Sequence, residues 1–300
     1  MMMKFEFFAR DTWRTSSTLS KTSVVTLRPE RASHVAEPTK FKLTARKITE
    51  VEEVVTVTDP ATGVTKTMAQ KRGVLETIAF EIDSTKAAVV VCDMWDDHWC
   101  ASASKRCAEL AKQAEPVLKA CREKGMTIVH CPSDTMAFYK DHPARKRAQD
   151  VKKVEPPKSK DLPNPPLPVD DTKGGCDDEK PAKFFKAWSR QSATITIDEK
   201  KDYVTDNGTE VYSIMKEKGI DTLFVLGVHT NMCVLNRSFA IKQMVKWDVR
   251  TFLVRDLTDA MYDPKAKPFV THDKGTQLII EYIEKHWCPT VESKALLGTK

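Results

Sequence analysis

The stretch Gly227-Val228-His229-Thr230-Asn231-Met232-Cys233-Val234 constrains this chain more than any other. It follows an apolar run, Leu223-Phe224-Val225-Leu226, that reads as a buried strand. It precedes Leu235 to Val245, whose apolar residues recur at three- and four-residue spacing and read as a helix. A strand that turns directly into a helix is a unit of an α/β sheet. A cysteine in the first turn of that helix sits where backbone N–H groups and the positive end of the dipole converge. That setting favours the thiolate and offers donors to an oxyanion. A buried structural cysteine is the commoner fate of the residue taken alone, so it is the context that raises Cys233 as a nucleophile.

A second strand end carries a carboxylate. Lys86 to Cys92 is an apolar run that ends in Asp93-Met94-Trp95-Asp96-Asp97-His98-Trp99. Ligands of open α/β sheets bind at the carboxyl ends of the strands, where Asp93 falls, although a helix N-cap is an equal use for a lone aspartate. Strands and helices then alternate. Strand Lys86–Cys92 leads to helix Ser102–Lys124 with Gly125 beyond it, then strand Met126–Cys131. Next come strand Ala193–Ile197, helix Thr209–Lys218 with Gly219 beyond it, strand Thr222–Gly227 and helix Cys233–Lys246. Strand Val249–Arg255, helix Lys274–His286 and a short strand near Cys288–Val291 complete the set. This order predicts a parallel sheet with right-handed crossovers.

The pair of segments, Asp-Met-Trp-Asp after one strand and Gly-Val-His-Thr-Asn-Met-Cys-Val after a later one, resembles the isochorismatase-like cysteine hydrolases. These include nicotinamidases, N-carbamoylsarcosine amidases, ureidoacrylate and biuret amidohydrolases and true isochorismatases. The resemblance runs from Lys86 to the C-terminus, apart from a long insertion. It implies a three-layer αβα sandwich with a mostly parallel, Rossmann-like sheet and an Asp–Lys–Cys triad. Cys233 would attack a carbonyl and hold the acyl group as a thioester, and Asp93 would carry the proton to the leaving amine. The triad lysine follows from spacing within the family pattern. Reading back from Cys233 without gaps, Gly208-Thr209 falls on the family's Gly-Thr and Lys200 on its lysine, with Lys201 and Arg190 as the other cations to consider. Asp206 stands where an aromatic is usual. The resemblance also implies an oxyanion hole from the backbone N–H groups of Met232 and Cys233, a cis Val228–His229 peptide and a homo-oligomer. Trp95, His229, Asn231 and Trp188 are candidates to line the substrate pocket.

The implied reaction is hydrolysis of a non-peptide C–N bond in an amide, carbamoyl or ureido small molecule. The alternatives are a catalytically silent domain of the same fold acting as a binding module, and a peroxide-sensing cysteine with Cys131 or Cys176 as resolving partner. No cofactor is implied. Nicotinamidases hold a metal through an Asp-x-His pair, and His130-Cys131-Pro132-Ser133-Asp134 with the later His142 lacks that pattern. We therefore expect no metal and a substrate other than nicotinamide, with His98 and Asp97 as the residual metal candidates.

Composition adds bounds. The net charge of +6 is modest and lysines are interspersed with acids, so no nucleic-acid footprint is visible. No apolar run approaches the roughly 18–20 residues of a membrane span. Eight cysteines without a Cys-x-x-Cys pair predict scattered core thiols in a reducing, cytoplasmic setting. Residues 1–40, rich in Ser, Thr and Arg, read as a disordered segment or leader, with a mitochondrial address as the alternative. Residues 41–85 alternate apolar and charged positions around Asp59-Pro60-Ala61-Thr62-Gly63, which predicts a small antiparallel appendage packing on a domain spanning 86–300. The insertion at 133–191 is Pro-rich and leaves the carboxyl end of the second strand, where it reads as a partial cover with Trp188 as a wall, or as an exposed decoration.

Overall fold

The computed structural model describes residues 40–297. The expected leader segment, apart from its last residue, lies outside them. In chain order the strands are β1 (Lys40–Thr58), β2 (Thr65–Asp83), β3 (Ala87–Cys92), β4 (Thr127–Cys131), β5 (Tyr203–Val204), β6 (Thr222–Val228), β7 (Arg250–Asp259) and β8 (Thr290–Val291). The helices are α1 (Ala101–Glu123), α2 (Met136–Tyr139), α3 (Pro143–Asp150), α4 (Gly208–Glu217), α5 (Cys233–Asn236), α6 (Ile241–Lys246), α7 (His272–His286) and α8 (Ser293–Leu297). One sheet of order β2-β1-β8-β7-β6-β3-β4-β5 runs through the chain. It is parallel from β8 to β5, and β1 joins it antiparallel through Arg46 opposite Thr290.

The central strands are apolar at every position because both faces are covered. In β3 all six residues are buried. Ala88, Val90 and Cys92 pack with Val211 and Ile214 of α4, Met244 of α6 and Ile279 and Ile283 of α7. Ala87, Val89 and Val91 pack on the other face against Cys107, Ala111, Ala114 and Leu118 of α1 and Leu296 of α8. Successive residues thus feed two cores, which gives three layers, αβα. Gly125 and Gly219, with φ of 82° and 65°, end α1 and α4 in the left-handed region where a side chain is disfavoured.

Three elements differ from the sequence expectation. Ala193–Ile197 is not a strand. Its backbone is held by side chains instead, Thr196 N–H donating to Glu115 at 2.9 Å and Thr196 C=O accepting from Arg122 at 2.5 Å. The strand beside β4 is Tyr203–Val204. The helix expected over Cys233–Lys246 breaks after Asn236, because Arg237 takes an extended backbone (φ −63°, ψ 151°). The break brings Ser238 against α4, where Ser238 Oγ accepts from Gly208 N–H at 3.0 Å. A Cβ on Gly208 would lie 2.1 Å from the Ser238 carbonyl oxygen. Finally, the appendage is a hairpin of two 19-residue strands, and only its inner end packs on the sheet layers.

β3 and β6 are neighbours with Cys92 opposite Gly227, so the residues that follow them leave the sheet side by side. Gly227 has φ of 119°, and a Cβ there would sit 1.9 Å from the Cys92 carbonyl oxygen. No rotamer relieves a backbone clash. Gly227→Ala is therefore expected to lower stability by more than about 3 kcal/mol, as read from a urea unfolding midpoint, whereas Gly63→Ala at the exposed hairpin turn costs far less.

Candidate active site

Asp93 is the first residue beyond β3 and has φ of 49°, a left-handed conformation that Asp tolerates better than most residues. The turn aims its side chain into the protein, where it is fully buried. Oδ1 accepts the Ser133 N–H at 2.7 Å, and Oδ2 accepts from Arg237 Nε at 3.3 Å. The Cys233 thiol lies close enough to the same carboxylate to interact with it. Arg237 also interacts with Cys233, and its Nη2 reaches Asp134 at 3.1 Å.

The sequence thus placed Asp93 and Cys233 at one sheet edge, and the structure brings the two into contact. Lys200 does not join them. It lies exposed in the turn after Asp198, whose carboxylate accepts the Lys200 N–H at 2.8 Å. Lys201 is in the same turn and equally exposed. Arg190 stacks over Phe138, 5.6 Å from the ring centroid. The cation at Asp93 is Arg237, four residues after Cys233. That spacing alone puts two side chains on one side of a helical turn, and it was the signal available in the sequence.

The loop that carries Cys233 is tightly pinned. The Val228–His229 peptide is cis. Thr258 Oγ1 donates to the Gly227 carbonyl at 2.7 Å and accepts from the Thr230 hydroxyl at 2.7 Å, while Thr230 N–H donates to Asp259 C=O at 2.8 Å. Asn231 exchanges two bonds with the Met261 backbone, at 2.8 and 3.1 Å, and donates to Asp171 at 2.9 Å. Met232 N–H is spent on the His229 carbonyl at 2.9 Å, as is Val234 N–H at 3.2 Å. Cys233 N–H therefore remains as the backbone donor of this turn, so the expected pair of oxyanion donors reduces to one.

Electrostatics follow from burial. Burial raises the Asp93 pKa to about 6, with Arg237, the Cys233 thiol and the Ser133 N–H all pulling the other way. Burial, then the Asp93 charge, pushes the Cys233 thiol well above its ordinary range, against the pull of Arg237. Burial works against the charge of Arg237, but Asp93 and Cys233 outweigh it and hold the guanidinium ionised. The resting state at neutral pH is a neutral thiol against an ionised carboxylate.

A cavity of about 380 Å³ opens on Cys233 and Arg237, lined also by Leu167, Asp171, Asn231, Met232, Asn236 and Lys242. Leu167 and Asp171 come from the insertion. The insertion is fastened at two further points. Cys176 is disulfide-bonded to Cys100, and Asp178 accepts the N–H groups of Ala101 and Ser102 at 2.8 Å each, at the start of α1. Trp188 stacks on Trp95, 4.3 Å between centroids, and His98 is parallel to Trp188 at 5.8 Å. Trp95 and Trp188 thus form a wall beside the site rather than part of the open cavity, and Trp95 Nε1 donates to Ser133 C=O at 3.2 Å. His229 is buried with Nε2 unpaired, and burial lowers its pKa to about 3, so the ring is neutral.

The disulfide corrects the expectation of thiols throughout: six cysteines are free, and Cys176 is not available as a resolving thiol. The histidines weighed as ligands each make a hydrogen bond within the protein. His130 bonds Gln191 and Asp202 at 3.0 Å each, His142 caps α3 by accepting from Ala144 N–H at 3.2 Å, and His98 Nδ1 accepts from Cys100 N–H at 3.2 Å. In the cluster Cys100, Cys176 and Asp178, the sulfurs bond each other and the carboxylate caps α1. No helix among the described residues is long and apolar enough to cross a membrane.

With this geometry in hand, comparison with known proteins gives one family: residues 87–270 match the isochorismatase domain. A cysteine hydrolase structure from Pseudomonas syringae pv. phaseolicola 1448A is similar at 14% identity, over 72% of this chain and 92% of that one, with a TM-score of 0.44. An isochorismatase family protein from Burkholderia thailandensis is similar at 13% identity, over 72% and 97%, with a TM-score of 0.41. No functionally curated protein matches the chain.

If Arg237 is the cation that holds Asp93 down, Arg237→Leu is expected to move the Asp93 titration up from about 6 by at least about one pH unit. Lys200→Leu is expected to leave it in place. The carboxyl carbon resonance of Asp93, followed against pH, reads this directly, and the opposite ranking of the two variants would overturn the assignment.

Proposed function

Because the chain belongs to the isochorismatase family, a hydrolase at family level, we propose that it hydrolyses a non-peptide C–N bond in a small amide, carbamoyl or ureido compound through a covalent Cys233 intermediate. The observation that carries this reading is the Cys233 thiol beside a buried Asp93, with Arg237 bonded to the carboxylate and interacting with the sulfur.

A free thiolate is disfavoured here, so attack and deprotonation run together. The Cys233 sulfur bonds the carbonyl carbon as its proton passes to Asp93. Charge develops on the carbonyl oxygen, where Cys233 N–H donates. The C–N bond then breaks, and Asp93 returns the proton to the departing nitrogen. In the second half Asp93 takes a proton from water, hydroxide oxygen bonds the acyl carbon, and the sulfur leaves and recovers the proton. Arg237 balances the negative charge shared by carboxylate and sulfur throughout. An arginine does this without titrating, since it stays charged at any working pH.

The cavity's mix of Arg237, Lys242, Asp171 and two asparagines suits a polar substrate. Trp95 and Trp188 back the site with flat apolar surface. In this reading the substrate is a small molecule, and the reaction uses no cofactor.

Release of ammonia or amine from a panel of amides, carbamoyl compounds and ureas tests the reading, with Cys233→Ala as control. Cys233→Ser, Asp93→Asn and Arg237→Leu are each expected to lose at least about 100-fold in kcat/KM, and Lys200→Ala less than about threefold. A base must be ionised to work. Rate should therefore fall about tenfold per pH unit on the acid side of the Asp93 pKa, raised to about 6, and level off above it. A mass adduct on the Cys233 peptide under slow turnover completes the case. Undiminished turnover by Cys233→Ala removes the mechanism, and an inert Cys233 with no turnover on the panel favours a silent binding module.

A further inference from the structure

The β1–β2 hairpin is far longer than the body needs. Its inner end is held: Phe41, Leu43, Ala45, Phe80 and Ile82 pack into the core on the α1 side of the sheet. Arg46 pairs Glu284 at 2.6 Å, and Glu50 pairs Lys285 at 2.8 Å. From Val51 to Arg72 the described residues show only bonds within the hairpin, such as Arg72–Glu53 at 3.1 Å and the Thr56–Thr67 hydroxyl pair at 3.2 Å. Eight residue pairs, from Val51–Arg72 to Thr58–Thr65, therefore stand beyond the body. A lone two-stranded ribbon is marginal in water, so an arm of this length implies cover.

The sequence of the arm says which face is covered. Paired residues share a face, and the face that is buried at Phe41, Leu43 and Ala45 continues outward through Val51, Val55 and Val57, with Met68 and Val74 on β2. The apolar stripe of the core thus runs on after the core has ended. Val57, Val64 and Met68 are 52%, 53% and 51% exposed, and with Lys66, Asp59 and Thr62 they line a shallow cavity at the tip. Five of the ten large apolar side chains exposed among the described residues lie on this hairpin, Val57 and Met68 on this face, Val64 at the turn, and Val54 and Leu75 on the opposite face.

We propose that the arm is a self-association element, which lies with this face across a second copy of the chain while the partner's arm lies across the first. Area selects this arrangement. Eight residues at about 3.4 Å plus a tip turn make an arm about 33 Å long, and two strands make it about 10 Å wide, so one face offers about 330 Å². Two arms meeting only each other bury about 650 Å² in total, below what a stable interface needs. Two arms each laid on the other copy's body bury about 1,300 Å², within the range of stable dimers. The charge of the outer arm is also self-balancing, with Glu52, Glu53 and Asp59 against Lys66, Lys71 and Arg72. A chain of the same composition meets no net repulsion there, whereas a strongly charged partner finds no complement. The inference does not depend on the reaction assigned to Cys233.

Light scattering on a sizing column tests it on the full chain at micromolar concentration. The expected mass is twice 33.9 kDa. Val55→Glu with Met68→Glu should shift the chain to monomer with unchanged circular dichroism. Because two buried-face charges can also unsettle the hairpin, a second variant replaces residues 51–72 by an Asn-Gly turn between Glu50 and Gly73, and it too should be a folded monomer. A wild-type chain that is monomeric at these concentrations overturns the proposal, including one whose arm is instead covered by a different protein or by lipid vesicles. So does a dimer that survives in both variants.

Discussion

The buried carboxylate of Asp93 is the constraint around which this edge of the molecule is arranged. A fully desolvated carboxylate costs several kcal/mol unless it is bonded and charge-balanced. Ser133 N–H from one segment, and the Cys233 thiol and Arg237 from another, supply that balance. Each supply has a structural cost. Asp93 and Asp134 both take positive φ, so that the first turn of the insertion folds back over the strand end. The helix that begins at Cys233 is broken within four residues so that Arg237 extends and its guanidinium turns back. The break then dictates Gly208, because the displaced Ser238 carbonyl occupies the space of a side chain. One buried charge thus explains a strained turn, a broken helix and a required glycine.

Much of this was legible in the sequence, and the reasons are local. β3, β6 and α1 were readable because a strand buried on both faces is continuously apolar and a half-buried helix is periodic. The meeting of Asp93 and Cys233 followed because both residues end apolar strands of a parallel sheet. Lys200 failed for a physical reason that spacing does not carry. Asp202, one turn further on, is captured by Arg122 and His130 inside the protein, with Arg122 Nε at 2.9 Å and His130 Nε2 at 3.0 Å. The turn that results leaves Lys200 facing water. Arg237 lies four residues after Cys233, a local signal, whereas the family spacing directs the search for the cation upstream to Lys200. The Cys100–Cys176 bond joins residues 76 apart and has no local signal at all. The hairpin and its turn were legible, but not that only its inner end packs on the body, because the apolar alternation that marks the packed end continues outward through Val51, Val55 and Val57.

The insertion gives the shared fold its individual character. The sheet edge supplies Asp93, Cys233 and Arg237, while the insertion supplies Leu167 and Asp171 to the cavity and Trp188 to the wall. It is no loose loop. Gly175 has φ of 65° and is packed so closely on the Met261 carbonyl that a Cβ would lie 2.1 Å away. Asp177, next to the disulfide, pairs with Arg106 at 2.8 Å, and Arg106 pairs in turn with Asp259 at 2.9 Å. Asp259 C=O receives the Thr230 N–H of the loop that carries Cys233. The insertion and that loop are therefore two parts of one bonded unit.

Where the family resemblance implies a lysine, the cation beside Asp93 is an arginine, with a consequence of its own. A lysine ammonium is a compact point charge without a planar fork of donors. The planar fork of Arg237 reaches Asp93 with Nε and Asp134 with Nη2. Asp93 belongs to the sheet, and Asp134 belongs to the first turn of the insertion, where its own N–H donates to Asp206 at 3.1 Å. The guanidinium therefore ties Asp93 to the element that walls the cavity. The residue that balances the Asp93 charge is thus also bonded to the insertion that lines the cavity.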